Sequence, residues 1–281
     1  MARIGGLIRL VHPFPSILDG LVVGMVAIIA GGDGLTAARL ALSMTALQAS
    51  IGTLNDVVDA PRDAGHKPGK PIPAGLVSAR VATAIVVVGA AAGFGLAIPS
   101  GWGTAGLAVV VLAIGYGYDL RFKGTAWSWF PFAVGIPLLP LYGWLGATGT
   151  LPASFAVLLP VAVIAGAALA IANARADAER DAMAGVGSVA IGLGLERAWV
   201  VNAVLLGAVV VLAFVTLAAA GASPGVLAGA LVAACVIGLG VAVGYHGDHA
   251  RRERAWELEA VGLGLLAMAW LVGAPLGGPG G

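Results

Sequence analysis

The sequence predicts an all-α, multi-pass membrane protein, and three observations support this prediction. Of the 281 residues, 59% are hydrophobic and 10% are charged, and the mean hydropathy is +0.99. Long apolar runs recur along the chain, and Lys and Arg gather in alternate connections between them. Because a soluble domain needs about 25% charged residues to wet its surface, this composition excludes a soluble globular protein. The net charge of +1 excludes a strong general attraction to nucleic acid.

Nine apolar runs are long enough to cross a bilayer, which takes about 20 residues of α-helix. The nine predicted spans are 15–31, 36–54, 77–98, 102–118, 126–147, 152–174, 197–220, 223–245 and 257–275. Glycine accounts for 44 of the 281 residues, which is typical of membrane helices that pack closely against one another.

The positions of the basic residues predict the orientation. Of the 15 Lys and Arg residues, 12 lie before the first span or in an even-numbered connection, and Arg80 and Arg197 lie at the start of a span that follows such a connection; Arg39 is the exception. Lys and Arg accumulate on the cytoplasmic side of membrane proteins, so the N-terminus and these connections are expected to be cytoplasmic. Because the N-terminus does not resemble a transit peptide, the expected location is the inner membrane of a bacterium or the membrane of an archaeon.

Two short acidic segments close the second and the sixth predicted spans, and they resemble each other. Asn55–Ala64 and Asn173–Ala182 align without a gap at an offset of 118 residues and are identical at six of ten positions. Four spans separate them, so both are expected on the same side of the membrane. The sequence therefore predicts a single domain over 1–281 made of two pseudo-repeats of about four helices, with motifs at 55–63 and 173–181.

Each segment predicts a polar helix face, because residues four apart lie on the same side of a helix. The two stripes are Asn55, Asp59 and Asp63, and Asn173, Asp177 and Asp181. Pro61 is expected to interrupt the first. Crowded carboxylates repel one another unless a cation compensates. Mg²⁺ is the expected cation, with Mn²⁺ as the alternative, because Mg²⁺ binds a few carboxylates, keeps waters and bridges to phosphate oxygens.

Basic side chains accompany both acidic stripes. They are Arg62, Lys67, Lys70, Arg121, Lys123, Arg175 and Arg180. Together with a metal ion, such residues neutralise phosphoryl oxygens, which predicts a pocket for a diphosphate. A diphosphate assisted in this way can leave an allylic carbon, while the membrane holds the hydrocarbon tail.

These residues carry a resemblance to a known family. The run from Asn55 to Asp63, followed by Lys67–Gly75, resembles the first motif of the UbiA superfamily of intramembrane prenyltransferases, of the 4-hydroxybenzoate polyprenyltransferase kind. Asp177, Asp181 and the glycines that follow are similar to its second motif. The resemblance implies a bundle of nine transmembrane helices around a central cavity with a cytoplasmic cap. It also implies an enzyme that ionises a prenyl diphosphate with Mg²⁺ and transfers the prenyl group to an acceptor.

The resemblance also implies site residues. The residues expected to bind metal are Asn55, Asp56, Asp59, Asp63, Asp177 and Asp181, and the five aspartates are expected to be catalytic. The residues expected at the diphosphate are Arg62, Lys67, Lys70, Tyr118, Lys123 and Arg180. Two further candidates are Asn173 and Asp19, a carboxylate within the first span, where a charge is costly and often functional.

The chain departs from the family after the fourth span. The family usually has a tyrosine and a lysine four residues apart there, whereas Tyr118 and Lys123 are five apart and Asp119 stands four before the lysine. An interfacial anchor is the competing interpretation of Tyr118.

The acceptor is expected to be an aromatic ring or quinone precursor, because such acceptors are common in the family. Two alternatives within the family stay open, a terpene cyclase and prenyl transfer to a non-aromatic lipid acceptor. A CDP-alcohol phosphotransferase is disfavoured because its Asp-Gly-x-x-Ala-Arg opening is absent. A cation transporter is also disfavoured, because transporter sites lie near the middle of the membrane, whereas both acidic segments here lie at one end of a span.

Overall fold

The computed structural model of the chain describes residues 2–67, 69–183 and 185–274, and every regular element in these ranges is helical. Pro68, which belongs to the first motif, and residue 275, which ends the ninth predicted span, lie outside the described residues. The predicted all-α class is confirmed.

Twelve α-helices occur in the described part of the chain, joined in places by single turns of other helix types. The α-helices are α1 (Ala2–Leu10), α2 (Pro13–Ile29), α3 (Gly34–His66), α4 (Ala79–Ala97), α5 (Trp102–Gly117), α6 (Phe130–Gly135), α7 (Leu138–Thr148), α8 (Phe155–Met183), α9 (Val189–Leu193), α10 (Leu195–Ala219), α11 (Pro224–Val243) and α12 (His249–Gly273). A 3₁₀ turn, Ile98–Ser100, follows α4, and a π-helical turn, Tyr118–Phe122, follows α5.

Seven helical stretches of the described residues are long and apolar enough to cross a membrane. The pair α1 and α2, which is bent by 50°, makes an eighth when it is counted as one span. These eight overlap eight of the nine predicted spans. The remaining prediction, 36–54, lies within α3, which is long enough but less apolar because Ser, Thr and Gln recur along it. The protein is therefore a multi-pass membrane protein, and its described residues contain seven or eight spans by length and composition, against the nine predicted.

Helix α3 continues beyond its apolar part and carries the first acidic segment. Asp33 is its N-cap, and the Asp33 carboxylate accepts hydrogen bonds of 2.9 Å from the backbone N–H groups of Leu35 and Thr36, as an N-cap should. The helix then runs 33 residues to His66. The expected interruption at Pro61 is wrong: the proline removes one backbone donor, but the helix goes on and keeps all the acidic residues on one element.

The first compact unit comprises Met1–Lys123 with Leu138–Thr150 and contains α1 to α5 and α7. Its centre is α3, whose hydroxyl side chains bind the neighbouring helices. Ser43 donates a 2.6 Å hydrogen bond to the carbonyl of Gly93 in α4 and lies 2.5 Å from the hydroxyl of Tyr142 in α7. Because these polar groups are satisfied inside the unit, α3 can be less apolar than a lipid-facing helix.

The second compact unit comprises Gly124–Pro137 with Leu151–Gly281 and contains α6 and α8 to α12. Helix α8 packs against α6, α10 and α12. The contact with α6 is close: a Cβ on Gly166 would lie 2.3 Å from the carbonyl oxygen of Phe132. Each unit holds one of the two acidic segments, and the pseudo-repeat of helices stays a prediction.

Candidate active site

The acidic residues of α3 form a buried polar face in the first unit. Asp56, Asp59 and Asp63 are only 3%, 6% and 5% exposed, although they lie beyond the predicted span, where the helix could have faced water. Buried charges are expensive unless they are paired and hydrogen-bonded. Each of the three carboxylates accordingly has a basic neighbour: Lys70 contacts Asp56 and Asp63, and Lys123 contacts Asp59.

Lys70 binds one side of this face. Its Nζ lies 2.8 Å from Asp56 Oδ1 and 3.0 Å from Asp63 Oδ2, so one ammonium group joins carboxylates two helical turns apart. Burial alone would raise the pKa of Asp56, but the hydrogen bonds and charges of His12 and Lys70 outweigh it and hold the pKa below its usual value. Burial alone would lower the pKa of Lys70, but Asp56 and Asp63 outweigh it and raise the pKa. Both groups are therefore charged at neutral pH.

The other side of the face meets the π-helical turn Tyr118–Phe122. Asn55 Nδ2 donates a 2.8 Å hydrogen bond to Asp119 Oδ1, and Lys123 Nζ forms an ion pair with Asp59 Oδ2. Thus Lys70 and Lys123, both predicted to bind a diphosphate, are brought to the predicted metal-binding residues.

His12 is a site residue that the sequence did not indicate. Its Nε2 lies 3.2 Å from Asp56 Oδ1, and it occupies the left-handed backbone region with a φ of 47°, the only non-glycine residue with positive φ in the described residues. Backbone strain of this kind clusters at functional sites. The ring also lies against Gly52, where a Cβ would come within 3.0 Å of it. Its position directly before Pro13 at the bend between α1 and α2 is the one signal that could have marked it.

The remaining predicted residues of the first unit lie around this cluster. Arg62 is half-exposed, with Nη1 3.8 Å from Asp59 Oδ1, a distance at which an exposed pair contributes little. Lys67 caps α3 and donates its backbone N–H to the carbonyl of Asp63. Tyr118 begins the π-helical turn and accepts the backbone N–H of Lys123. Asp19 is partly buried within α2.

The second acidic segment lies at the end of α8 in the second unit. Asp177, Asp181 and Asn173 are partly buried, and Arg180 Nη1 lies 3.6 Å from Asp177 Oδ1. This segment is more open than its counterpart in α3.

The opposite face of the α8 segment is bound tightly within the second unit. The buried Arg175 donates from Nε to the carbonyl of Leu195 at 3.2 Å and from Nη2 to the carbonyl of Gly244 at 3.0 Å. Glu179 forms an ion pair with the buried Arg252 of α12. Arg175 was expected near phosphate, but its guanidinium is used to join α8 to the starts and ends of other helices.

His249 is a second residue that the sequence did not indicate. It is the first residue of α12, and its Nδ1 lies 2.5 Å from the carbonyl oxygen of Ala176 and 3.9 Å from Asp177 Oδ1. It thereby holds the end of α8 beside the second acidic stripe.

The donor set of the first unit suits a hard divalent cation. No three His, Cys, Asp or Glu side chains of the described residues converge closely enough to hold a metal ion by themselves. Mg²⁺ commonly uses only one or two carboxylates and takes its other ligands from water and substrate phosphates. Near the ammonium groups of Lys70 and Lys123 lie four buried carboxylates, those of Asp56, Asp59, Asp63 and Asp119. One of their oxygens, Asp119 Oδ2, has no hydrogen-bond partner among the described residues. The cluster therefore fits such an ion.

These features define a class: an all-helical, multi-pass membrane protein with a buried carboxylate–lysine cluster where helix α3 leaves its apolar part. Within that class, residues 20–273 match the model of the UbiA prenyltransferase family. The chain belongs to the UbiA prenyltransferase family and is a prenyl-transferring enzyme. A search of curated proteins gives no match.

Solved structures share the fold along nearly the whole chain. A UbiA homologue from Aeropyrum pernix K1 superposes with a TM-score of 0.75 at 19% identity, covering 90% of this chain and 96% of that one. A UbiA homologue from Archaeoglobus fulgidus bound to GPP and Mg²⁺ gives a TM-score of 0.70 at 19% identity, with 95% and 99% covered. A structure described as digeranylgeranylglyceryl phosphate synthase in membranes gives 0.70 at 16% identity, with 97% and 99% covered.

Proposed function

We propose that this protein is a Mg²⁺-dependent prenyltransferase that ionises a prenyl diphosphate and transfers the prenyl group to an aromatic or quinone-precursor acceptor. The observation that carries the proposal is the cluster in which Asp56, Asp59 and Asp63 are buried with Lys70 and Lys123. An acidic and basic cluster of this kind can bind a metal ion and an anionic phosphate together. The A. fulgidus homologue, whose structures contain GPP or DMAPP with Mg²⁺, supports this choice of donor and metal.

The two lysines are suited to receive the diphosphate. Each ammonium group carries three donors; Lys70 is paired with Asp56 and Asp63 and Lys123 with Asp59, so a phosphate oxygen can take over one of these hydrogen bonds. The carboxylates of the α3 face released in this exchange would hold Mg²⁺, together with Asn55. When bound, Mg²⁺ supplies charge neutralisation for the departing diphosphate.

The reaction breaks the bond between the allylic carbon and the diphosphate oxygen, and both electrons leave with the diphosphate. Lys70 and Lys123 donate hydrogen bonds to that developing charge. The allylic cation is then attacked by an electron-rich ring carbon of the acceptor, and the ring regains aromaticity by losing a proton to an oxygen of the released diphosphate. The prenyl chain would lie in the membrane.

We assign the same chemistry to Asp177, Asp181 and Arg180 on the basis of the repeated motif, with Asn173 beside them. We also place the acidic ends of α3 and α8 on the cytoplasmic side, because nearly all the Lys and Arg residues gather in those connections. The partners are then a prenyl diphosphate, an acceptor and membrane lipid, with no nucleic acid.

The test is incubation of the purified protein with Mg²⁺ and prenyl diphosphates of several lengths, first without an acceptor and then with a panel of aromatic acids. Pyrophosphate release and lipid products are measured by mass spectrometry. We expect release that needs both Mg²⁺ or Mn²⁺ and an aromatic acceptor, and that yields a prenylated ring.

Other outcomes would contradict specific parts of the proposal. A hydrocarbon or cyclic alcohol formed without acceptor would mean a terpene cyclase. A product formed only with a glycerol-lipid acceptor would mean transfer to a lipid. Undiminished turnover in excess chelator would remove the metal from the mechanism.

A further inference from the structure

The turn that follows α5 has an unusual backbone. In Tyr118–Phe122 the chain forms a π-helical turn, and the N–H of Lys123 donates to the carbonyl of Tyr118, five residues earlier, at 2.8 Å. An α-helix would pair residues four apart. Single π turns within helices are rare and occur frequently at functional sites, so the contacts of this turn indicate what it positions.

The π-helical turn brings Asp119, and the residue that caps the turn, Lys123, onto two residues of α3 in matching register. Asp119 accepts the hydrogen bond from Asn55 at 2.8 Å, and Lys123 pairs with Asp59. The members of each partner set are four residues apart in sequence. Asp119 is therefore built into the acidic face of α3 although it belongs to neither acidic segment.

The second carboxylate oxygen of Asp119 accepts no hydrogen bond from the described residues. The residue is 6% exposed, and its Oδ2 is buried without a hydrogen-bond partner among the described residues. Its ionisable neighbours are Lys123, Asp59 and His12. A buried polar atom of a charged group without a partner is costly, and a ligand that binds it would relieve the cost.

Asn55 is oriented by the same contact. Because its amide nitrogen is engaged by Asp119, its carbonyl oxygen is the atom that remains to bind a cation. The Asn55–Asp119 pair thus presents two oxygen atoms of the kind that Mg²⁺ prefers.

We propose that Asp119 is a further ligand of the divalent cation that accompanies the diphosphate, binding it through Oδ2 next to Asn55. This inference rests on the proposed function. A site of this kind needs only one or two carboxylates, since phosphate oxygens and waters supply the remaining ligands. The backbone of the π-helical turn positions this carboxylate next to α3.

The test is Mn²⁺ binding in the presence of inorganic pyrophosphate, measured from the free Mn²⁺ signal in electron paramagnetic resonance on the purified full-length protein. Asp119→Asn keeps an oxygen that can accept the Asn55 hydrogen bond but loses the charge. Asp119→Ala loses both. Asp33→Asn is the matched control, because it removes an exposed carboxylate at the other end of α3 and still caps the helix.

We expect Asp119→Asn and Asp119→Ala to weaken Mn²⁺ binding by about tenfold or more, while Asp33→Asn leaves it unchanged and all three variants unfold at similar temperatures. If Asp119→Asn binds as the wild type does while Asp119→Ala does not, Asp119 acts only by holding Asn55, and the ligand role is overturned. Equal binding by all variants overturns it as well and leaves the proposed function intact. Absence of Mn²⁺ binding by the wild type would contradict the proposed function itself.

Discussion

Lys70 Nζ lies 2.8 Å from Asp56 Oδ1 in the first unit, and the same ammonium group reaches Asp63 Oδ2 at 3.0 Å. Lys70 belongs to the segment that follows α3, whereas both aspartates belong to α3 itself. One side chain therefore ties this segment back onto the acidic face, at the place where a cation would otherwise be needed to separate the two carboxylates.

Replacing Lys70 should weaken both substrate binding and the fold. In Lys70→Ala two buried carboxylates lose their shared donor, which should destabilise the protein by about 2 kcal/mol, the scale of a hydrogen bond to a charged group. The KM for the prenyl diphosphate should rise by about tenfold. Thermal unfolding and steady-state kinetics measure the two effects. Arg80→Ala, at the exposed start of α4, is the basic control, and an unchanged KM in Lys70→Ala would remove Lys70 from the diphosphate site.

Removing one carboxylate from either acidic segment should abolish turnover without unfolding the protein. Asp59→Ala and Asp177→Ala each take away a proposed metal ligand, so we expect roughly 100-fold or greater loss of pyrophosphate release. Membrane insertion and the unfolding temperature of both variants, compared with Asp33→Asn, show whether the fold survives. Retained activity in Asp59→Ala would contradict the metal site in α3, and retained activity in Asp177→Ala would confine that site to the first unit.

The buried polar contact between α8, α10 and α12 should contribute to stability. Asn202 Nδ2 donates to the carbonyl of Ala168 at 2.9 Å and to Glu259 Oε2 at 3.0 Å, and Asn202 is 1% exposed. Asn202→Ala leaves both acceptors buried without this donor, which should cost about 1–3 kcal/mol. Val204→Ala, at an exposed position of the same helix, is the control. Equal unfolding temperatures for the two variants would show that the contact does not stabilise the unit.

The close approach of α6 and α8 should make Gly166 intolerant of a side chain. In Gly166→Ala the new methyl group would meet the backbone of Phe132 at 2.3 Å, and backbone cannot rotate away as a side chain can. We expect a loss of about 1–3 kcal/mol in stability from overpacking. Gly207→Ala in α10 has no neighbouring atom within 4 Å and should be neutral or slightly stabilising, since alanine favours helix. An unfolding temperature for Gly166→Ala equal to that of Gly207→Ala would show that the helices can separate freely.

The sequence by itself determined the class of the protein and the chemistry of its acidic segments. Hydropathy is a local property, so apolar runs predict membrane helices, and the composition leaves no soluble alternative. The spacing of Asn55, Asp59 and Asp63 determines a polar face on any helix that contains them. Hydropathy along α3 was a weaker guide, because Ser43 and Ser50, which lower it, donate hydrogen bonds to carbonyls of α4.

Only the tertiary structure decided which groups meet at that face. Asp119 and His12 lie 64 and 44 residues from their partners Asn55 and Asp56, and no local periodicity connects residues so far apart. Their contacts depend on a π-helical turn and on one strained backbone conformation. Arg175 illustrates the same point in the second unit, where helix packing turned a residue expected at phosphate toward the carbonyls of Leu195 and Gly244. The physical reason is that side-chain pairing follows from how helices pack, whereas sequence patterns report only what each helix contains.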